Sequence, residues 1–244
     1  MHGANWIVVA ALAIPGISLP ANAAGPAAGE YATQPGWGNL VVSADAQGHR
    51  RFELSTVGGN GHMCELGGSL RGTSATTEDE AIDACRMTFD SDGVKVSVQA
   101  VTEEACRAYC GMRAGFEGEY AMLPAPCSRS ARERRNAAFL SDYKARRYPA
   151  ALAALVELER ECGSFFDWLE QDRFANDKAI TLLHLGRAGE CVAVLDNTLA
   201  AGSHDEDSLD GAVQLPPADR DMYLPIARAT WFNRDRCKAA IKPR

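Results

Sequence analysis

After Ala23 the chain holds no long hydrophobic run, and nothing there approaches the ~20 consecutive apolar residues that a membrane-crossing helix needs. Bilayer insertion is therefore not expected beyond that point. Positive charge is not in surplus: 25 Lys and Arg stand against 32 Asp and Glu, a formal net charge of −7, which argues against a nucleic-acid-binding surface. Also missing are a nucleophile beside a base with an orienting acid, and any His, Cys, Asp or Glu spacing that matches a metal site. No catalytic centre, cofactor or metal is expected.

The first 23 residues are different. An uninterrupted apolar stretch from Trp6 to Ile14 is followed by Pro20 and Ala21-Asn22-Ala23, the pattern of a secretory signal with an A-x-A cleavage site. A transmembrane anchor is the competing assignment, but the run is roughly half the ~20 residues that spanning needs. The leading residues include His2 and no Lys or Arg, and no cysteine stands at the cleavage site to carry a lipid. Cleavage after Ala23 leaves 244 − 23 = 221 residues, still at −7. All 8 cysteines lie in that part, an even number in an exported chain, so disulfides are expected and the location is periplasmic or secreted.

Residues 29–123 read as a β module. Phe52, Leu54 and Thr56 alternate, as do His62, Cys64 and Leu66, then Cys85, Met87 and Phe89, then Val94, Val96 and Val98. Asp45-Ala46-Gln47-Gly48 and Asp90-Ser91-Asp92-Gly93 supply turns between them. Gly-Glu-Tyr-Ala occurs twice, at 29–32 and 118–121, on either side of the module. Paired as first and last strands, the copies would close a small barrel and remove two sheet edges; chance repetition is the competing explanation. Thr102 to Cys110 reads as a short capped helix. Matching strand faces suggest a Cys64–Cys85 bridge, leaving Cys106 and Cys110 to each other or unpaired.

Pro124-Ala125-Pro126 is a linker, and residues 128–242 are rich in helix formers. Helices are expected over Ala131 to Arg147, Pro149 to Cys162, Arg173 to Leu185 and Cys191 to Leu199, with a shorter final pair, Asp219 to Arg228 and Asp235 to Ile241. Tyr148-Pro149-Ala150-Ala151-Leu152 aligns with Ala188-Gly189-Glu190-Cys191-Val192 at an offset of 40. Helix direction places Cys127 and Cys162 at one end of the first hairpin, predicting that bridge. Cys191 and Cys237, each taken to begin the second helix of neighbouring pairs, are expected to form another. The fold class is then α+β with two domains: a small disulfide-stapled antiparallel β barrel or sandwich, followed by an α-helical repeat domain. An irregular helical bundle is the alternative for the second half.

On these residues the second half resembles tetratricopeptide-like helical repeats. The first half resembles the β modules of exported Gram-negative proteins of the lysozyme-inhibitor type, through His62-Met63-Cys64, Cys85 to Phe89, Cys110-Gly111 and Phe116-Glu117-Gly118-Glu119-Tyr120. It lacks the serine-glycine inhibitory loop of the C-type inhibitors. The resemblance implies an inhibitor or immunity factor against a cell-wall hydrolase, and an acidic chain suits a basic partner.

His62 beside Cys64 invites a metal or nucleophile reading, but residues two apart on a strand share a face without converging, and a structural histidine is expected. The acidic run from His204 to Gly211 invites calcium, yet Leu209 and Pro216 stand where ligand oxygens are needed, so a solvated interhelical loop is expected. Arg129, Arg132, Arg134, Arg135, Lys144, Arg146 and Arg147 crowd one helix, expected to be solvated and neutralised by acids elsewhere. Phe165-Phe166-Asp167-Trp168 reads as core. Trp37, in a Gly/Pro loop, is either tucked under the barrel end or offered to a partner. Trp37 with Asp205, Glu206, Asp207 and Asp210 are the expected partner contacts. An envelope scaffold built on the repeats and an unrecognised secreted enzyme are the alternatives.

Overall fold

The computed structural model describes residues 25–79 and 82–241. Residues 1–23, read above as an export signal, lie outside the described part. Eight strands follow in order: β1 (Gly29–Ala32), β2 (Gly38–Ala44), β3 (Arg50–Val57), β4 (Met63–Arg71), β5 (Ser74–Thr77), β6 (Arg86–Ser91), β7 (Lys95–Ala100) and β8 (Gly118–Met122). Each pairs antiparallel with the next and β1 pairs with β8, which closes the barrel. Period-two alternation decides the interior. Leu40, Leu54 and Leu66 lie side by side across β2, β3 and β4, and Phe52 meets Phe89 edge to face at 5.1 Å. Each such fully buried side chain contributes roughly 2 kcal/mol of transfer free energy.

The repeated tetrapeptide closes the barrel, as expected from its bracketing positions. In both copies the glycine has positive φ (159° and 147°) and the tyrosine is buried. Both hydroxyls donate to the carbonyl four residues upstream: Tyr31 to Ala27 at 2.8 Å, Tyr120 to Phe116 at 2.7 Å. The two copies are one local structure used twice. Val94, expected on a strand face, instead sits exposed in the turn before β7.

Strand β5 lacks a hydrophobic signature, and its presence corrects the bridge expected between Cys64 and Cys85. Those cysteines both face the core, but β5 lies between β4 and β6. Two interstrand spacings of ~4.8 Å exceed the roughly 7 Å that a bridge tolerates. Cys64 instead joins Cys110 (Cα–Cα 4.1 Å), and Cys85 joins Cys106 (4.4 Å) on the short helix α1 (Glu103–Arg107).

The second half holds α2 (Arg129–Lys144), α3 (Tyr148–Cys162), α4 (Trp168–His184), α5 (Ala188–Leu195), α6 (Glu206–Ala212) and α7 (Pro217–Ala240). The helices α2–α3 and α4–α5 pack as successive hairpins, and α7 packs on the second, in a repeat-like arrangement. The Cys127–Cys162 bridge (5.5 Å) fastens the first hairpin where helix direction placed it. Cys191 joins Cys237 (6.0 Å) as expected, though for a different reason: Cys237 lies in the last turns of α7. The expected final pair is one helix of 24 residues, with Pro225 inside it. A continuous buried stripe (Tyr223, Ile226, Ala227, Thr230, Trp231, Arg234, Cys237) outweighs the one backbone bond that proline removes. The acidic run is also not all loop, since α6 forms within it. No described helix is long and apolar enough to cross a membrane.

Three sets of hydrogen bonds dock the barrel on the helices. The Asn60 and Gly61 amides donate to the Asp219 carboxylate (2.8 and 3.0 Å), while the Ala218 amide donates to Asn60 Oδ1 (2.9 Å). The Gly36 amide donates to the Phe166 carbonyl, and Gln34 Nε2 reaches Ser164 Oγ at 3.2 Å. The Arg129 amide, at the start of α2, donates to Glu30 Oε2 at 2.8 Å.

Candidate binding cleft

Between these docking points the barrel wall and the helices enclose a cleft of about 980 Å3. The barrel side consists of two cross-strand rows of outward residues on β2, β3 and β4: Asn39, Ser55 and Glu65 in one, Val41, Glu53 and Gly67 in the other. Alternation puts them outside because Leu40, Leu54 and Leu66 point in. The helical side presents Arg129, Arg132, Glu133 and Asn136 on α2, and Glu170, Arg173, Phe174 and Asp177 on α4. Both quartets have the spacing i, i+3, i+4, i+7 that keeps residues on one face. Leu123, Leu158 and Phe166, packed around the Cys127–Cys162 bridge, line the apolar part.

Internal pairing sets the net charge of the cleft. Arg132 bonds Glu170 (3.0 Å), Arg129 faces Glu133 (3.5 Å), and Glu30 is held by the Arg129 amide. Glu53, Glu65 and Asp177 have no cationic partner among the described residues, against one unpaired guanidinium, Arg173. Asp177 is half-buried, and loss of solvation pushes its carboxyl up to about 6. Such a cleft favours a cationic guest with an apolar body, because a positive charge restores what Asp177 loses by desolvation.

The expected contact residues are placed elsewhere. Trp37 is half-buried with its ring edge-on to Tyr120 (centroids 6.0 Å) and over Gly118, so it is tucked under the barrel end. Asp205 caps α6 by accepting from the Ser208 amide at 2.8 Å; Glu206 pairs with Arg228 and Arg220, and Asp210 with Arg220 at 2.6 Å. Asp207 is exposed and has no such partner among the described residues. Leu209 is buried in the core. His62 packs on Gly111 beside the bridged Cys64. On α2, Arg129, Arg132 and Arg135 pair with Glu133, Glu170 and Glu161, and just beyond its end Arg147 pairs with Asp142. Phe165 and Phe166 are buried, Asp167 caps α4, and Trp168 stacks on Tyr223.

Glu53, Glu65 and Asp177 were not singled out from sequence. Outward acids on the adjoining strands β3 and β4 are a usable signal once the strand order is known; the match between Asp177 and the barrel face is not, since it depends on docking. Among the described residues no group of three or more His, Cys, Asp or Glu is placed to hold a metal. Comparison with protein-family models, curated proteins and solved structures finds no match.

Proposed function

We propose that this chain is a non-enzymatic binding protein of the periplasm or the exterior, which holds a basic segment of a protein partner in the cleft between barrel and helices. The observation that supports it most is the cleft itself: large enough for several side chains, apolar in part, and carrying three unpaired carboxylates against one guanidinium. The net charge of −7 steers cationic partners in the same direction. Four disulfides and the interdomain hydrogen bonds keep such a surface preorganised, which lowers the ordering cost of association. A basic cell-wall hydrolase is the partner class, with inhibition or immunity as the outcome, a choice that rests on the sequence resemblance and on charge.

The test is direct. Protein lacking residues 1–23 is titrated into a panel of lysozymes and wall hydrolases, with lysis and binding followed in parallel. A complex whose association slows with salt, and which weakens about tenfold in a Glu53→Gln/Glu65→Gln/Asp177→Asn variant, is expected from the loss of direct charge contacts. Absence of both inhibition and complex formation at micromolar protein would remove this reading.

A further inference from the structure

Helices α2 and α4 end in the same backbone motif, at the repeat offset seen in the sequence. In the first, the Arg147 amide donates to the Asp142 carbonyl (2.9 Å) and the Arg146 amide to the Tyr143 carbonyl (3.0 Å). In the second, the Arg187 amide donates to Leu182 and the Gly186 amide to Leu183, both at 3.0 Å. This is the Schellman ending, whose turning residue is left-handed and usually glycine. Gly186 has φ 74° and adopts it freely, whereas Arg146 has φ 58° and pays in steric strain for its Cβ. Asn60 is the other non-glycine residue with positive φ among those described, and its side chain is used in docking.

Arg146 stands at a cluster drawn from four helices. The Tyr148 and His184 rings stack at 4.4 Å with an interplanar angle of 5°. Tyr143 lies edge-on to both, and its hydroxyl is 3.2 Å from His184 Nε2. From α7, Arg236 sits over the Phe232 ring at 5.4 Å. Neither Arg146 nor Arg236 has an acidic partner among the described residues, in contrast with Arg147 on Asp142. Burial and then the charges of Arg236 and Arg146 hold His184 below its ordinary range. The Asp177 charge adds to what raises the Tyr143 hydroxyl, which ties the cluster to the cleft.

The cluster continues the cleft. Tyr143 is seven residues beyond Asn136 on α2, and His184 seven beyond Asp177 on α4, two turns or about 10 Å along the same faces. We propose that Arg146 and Arg236, with the Tyr148–His184 stack, bind a carboxylate of the same peptide segment whose basic residue occupies the cleft. This rests on the cleft reading and adds a polarity to it. At ~3.3 Å per extended residue, the acid lies three or four positions from the base. The strain at Arg146 is then a cost carried for binding.

The probes are the N-acetylated, C-amidated peptide Arg-Ser-Gly-Ser-Glu, whose blocked ends carry no charge of their own, and versions with Gln for Glu or Gln for Arg, titrated into the full chain with the His184 and Tyr148 resonances observed. The Glu-to-Gln peptide, Arg146→Gly and Arg236→Gln should each weaken binding at least fivefold. Arg146→Gly combined with the Gln peptide should lose little more. Arg146→Gly should melt no lower than wild type, since glycine relieves the strain, and Arg146→Asn should do likewise. Peptide binding unchanged in Arg146→Gly, a melting temperature lowered by that change, or inorganic phosphate displacing the peptide equally well would each overturn the proposal. If the peptide with Gln for Arg still moves His184 while Asp177→Asn binds every peptide as wild type does, the cleft reading fails and the carboxylate site stands.

Discussion

Asn60 and Asp219 cap each other across the boundary between barrel and helices: the Asp219 carboxylate accepts the Asn60 and Gly61 amides, while Asn60 Oδ1 accepts the Ala218 amide. Helix α7 begins after Pro216, which offers no side-chain cap, so a residue of the barrel supplies one. Asp219→Ala strands two turn amides and should cost about 2 kcal/mol, or about 4–8 °C in melting temperature for a chain of this size. Hydrogen exchange should accelerate at residues 59–61 and in the first turn of α7 together. Acceleration confined to one side would show that the two residues do not act as a pair.

Peptide mapping without reduction checks the barrel order. The expected links are Cys64–Cys110, Cys85–Cys106, Cys127–Cys162 and Cys191–Cys237. Recovery of Cys64 bonded to Cys85 would mean that β5 does not separate β4 from β6. Removing the Cys64–Cys110 bridge with alanines should destabilise the chain by about 2–5 kcal/mol.

The buried network between α4 and α7 gives a third prediction. The Tyr223 hydroxyl and the Leu199 amide both donate to Asp172 Oδ2 (2.6 and 2.8 Å), and Asn176 bridges Thr230 and Asn233. Asp172→Ala leaves the buried Tyr223 hydroxyl and the part-buried Leu199 amide without their acceptor and should cost about 3 kcal/mol in chemical denaturation, against about 1 kcal/mol for Tyr223→Phe, which removes donor and bond together. Equal costs would place the stabilisation in packing.

What the sequence exposed was periodic or repeated. Alternation on β3, β4 and β6, the stripe on α3 and the doubled Gly-Glu-Tyr-Ala were legible because each signal is local. Strand β5 was not: Ser74-Ala75-Thr76-Thr77 has two buried positions and no large side chain, and missing it moved a disulfide. The acids from 205 to 210 drew attention as a run of charge, yet folding sets Asp205 at a helix cap and Glu206 and Asp210 against Arg220 and Arg228. The carboxylates left without partners, Glu53, Glu65 and Asp177, are scattered in sequence and meet only through tertiary docking.

Asp177 gives the last prediction, a pH dependence with a definite sign. Its folded carboxyl titrates at about 6, above the ordinary value near 3.8. Below both values the group is protonated in folded and unfolded chains and contributes nothing. Between them the folded chain keeps a proton that the unfolded chain releases, so its contribution falls as pH rises from about 4 to about 6 and then levels off. Asp177→Asn should therefore raise the melting temperature at pH 7.5, by an amount corresponding to at most about 3 kcal/mol, and leave it unchanged at pH 3.5. A basic ligand reverses the balance, because it needs the ionised form. Its affinity for the wild type should rise through pH 6, and for Asp177→Asn it should stay flat over that range. Measuring both proteins by denaturation and by calorimetric titration separates the effects, and a wild-type affinity that does not change across pH 5 to 7 would detach Asp177 from the site.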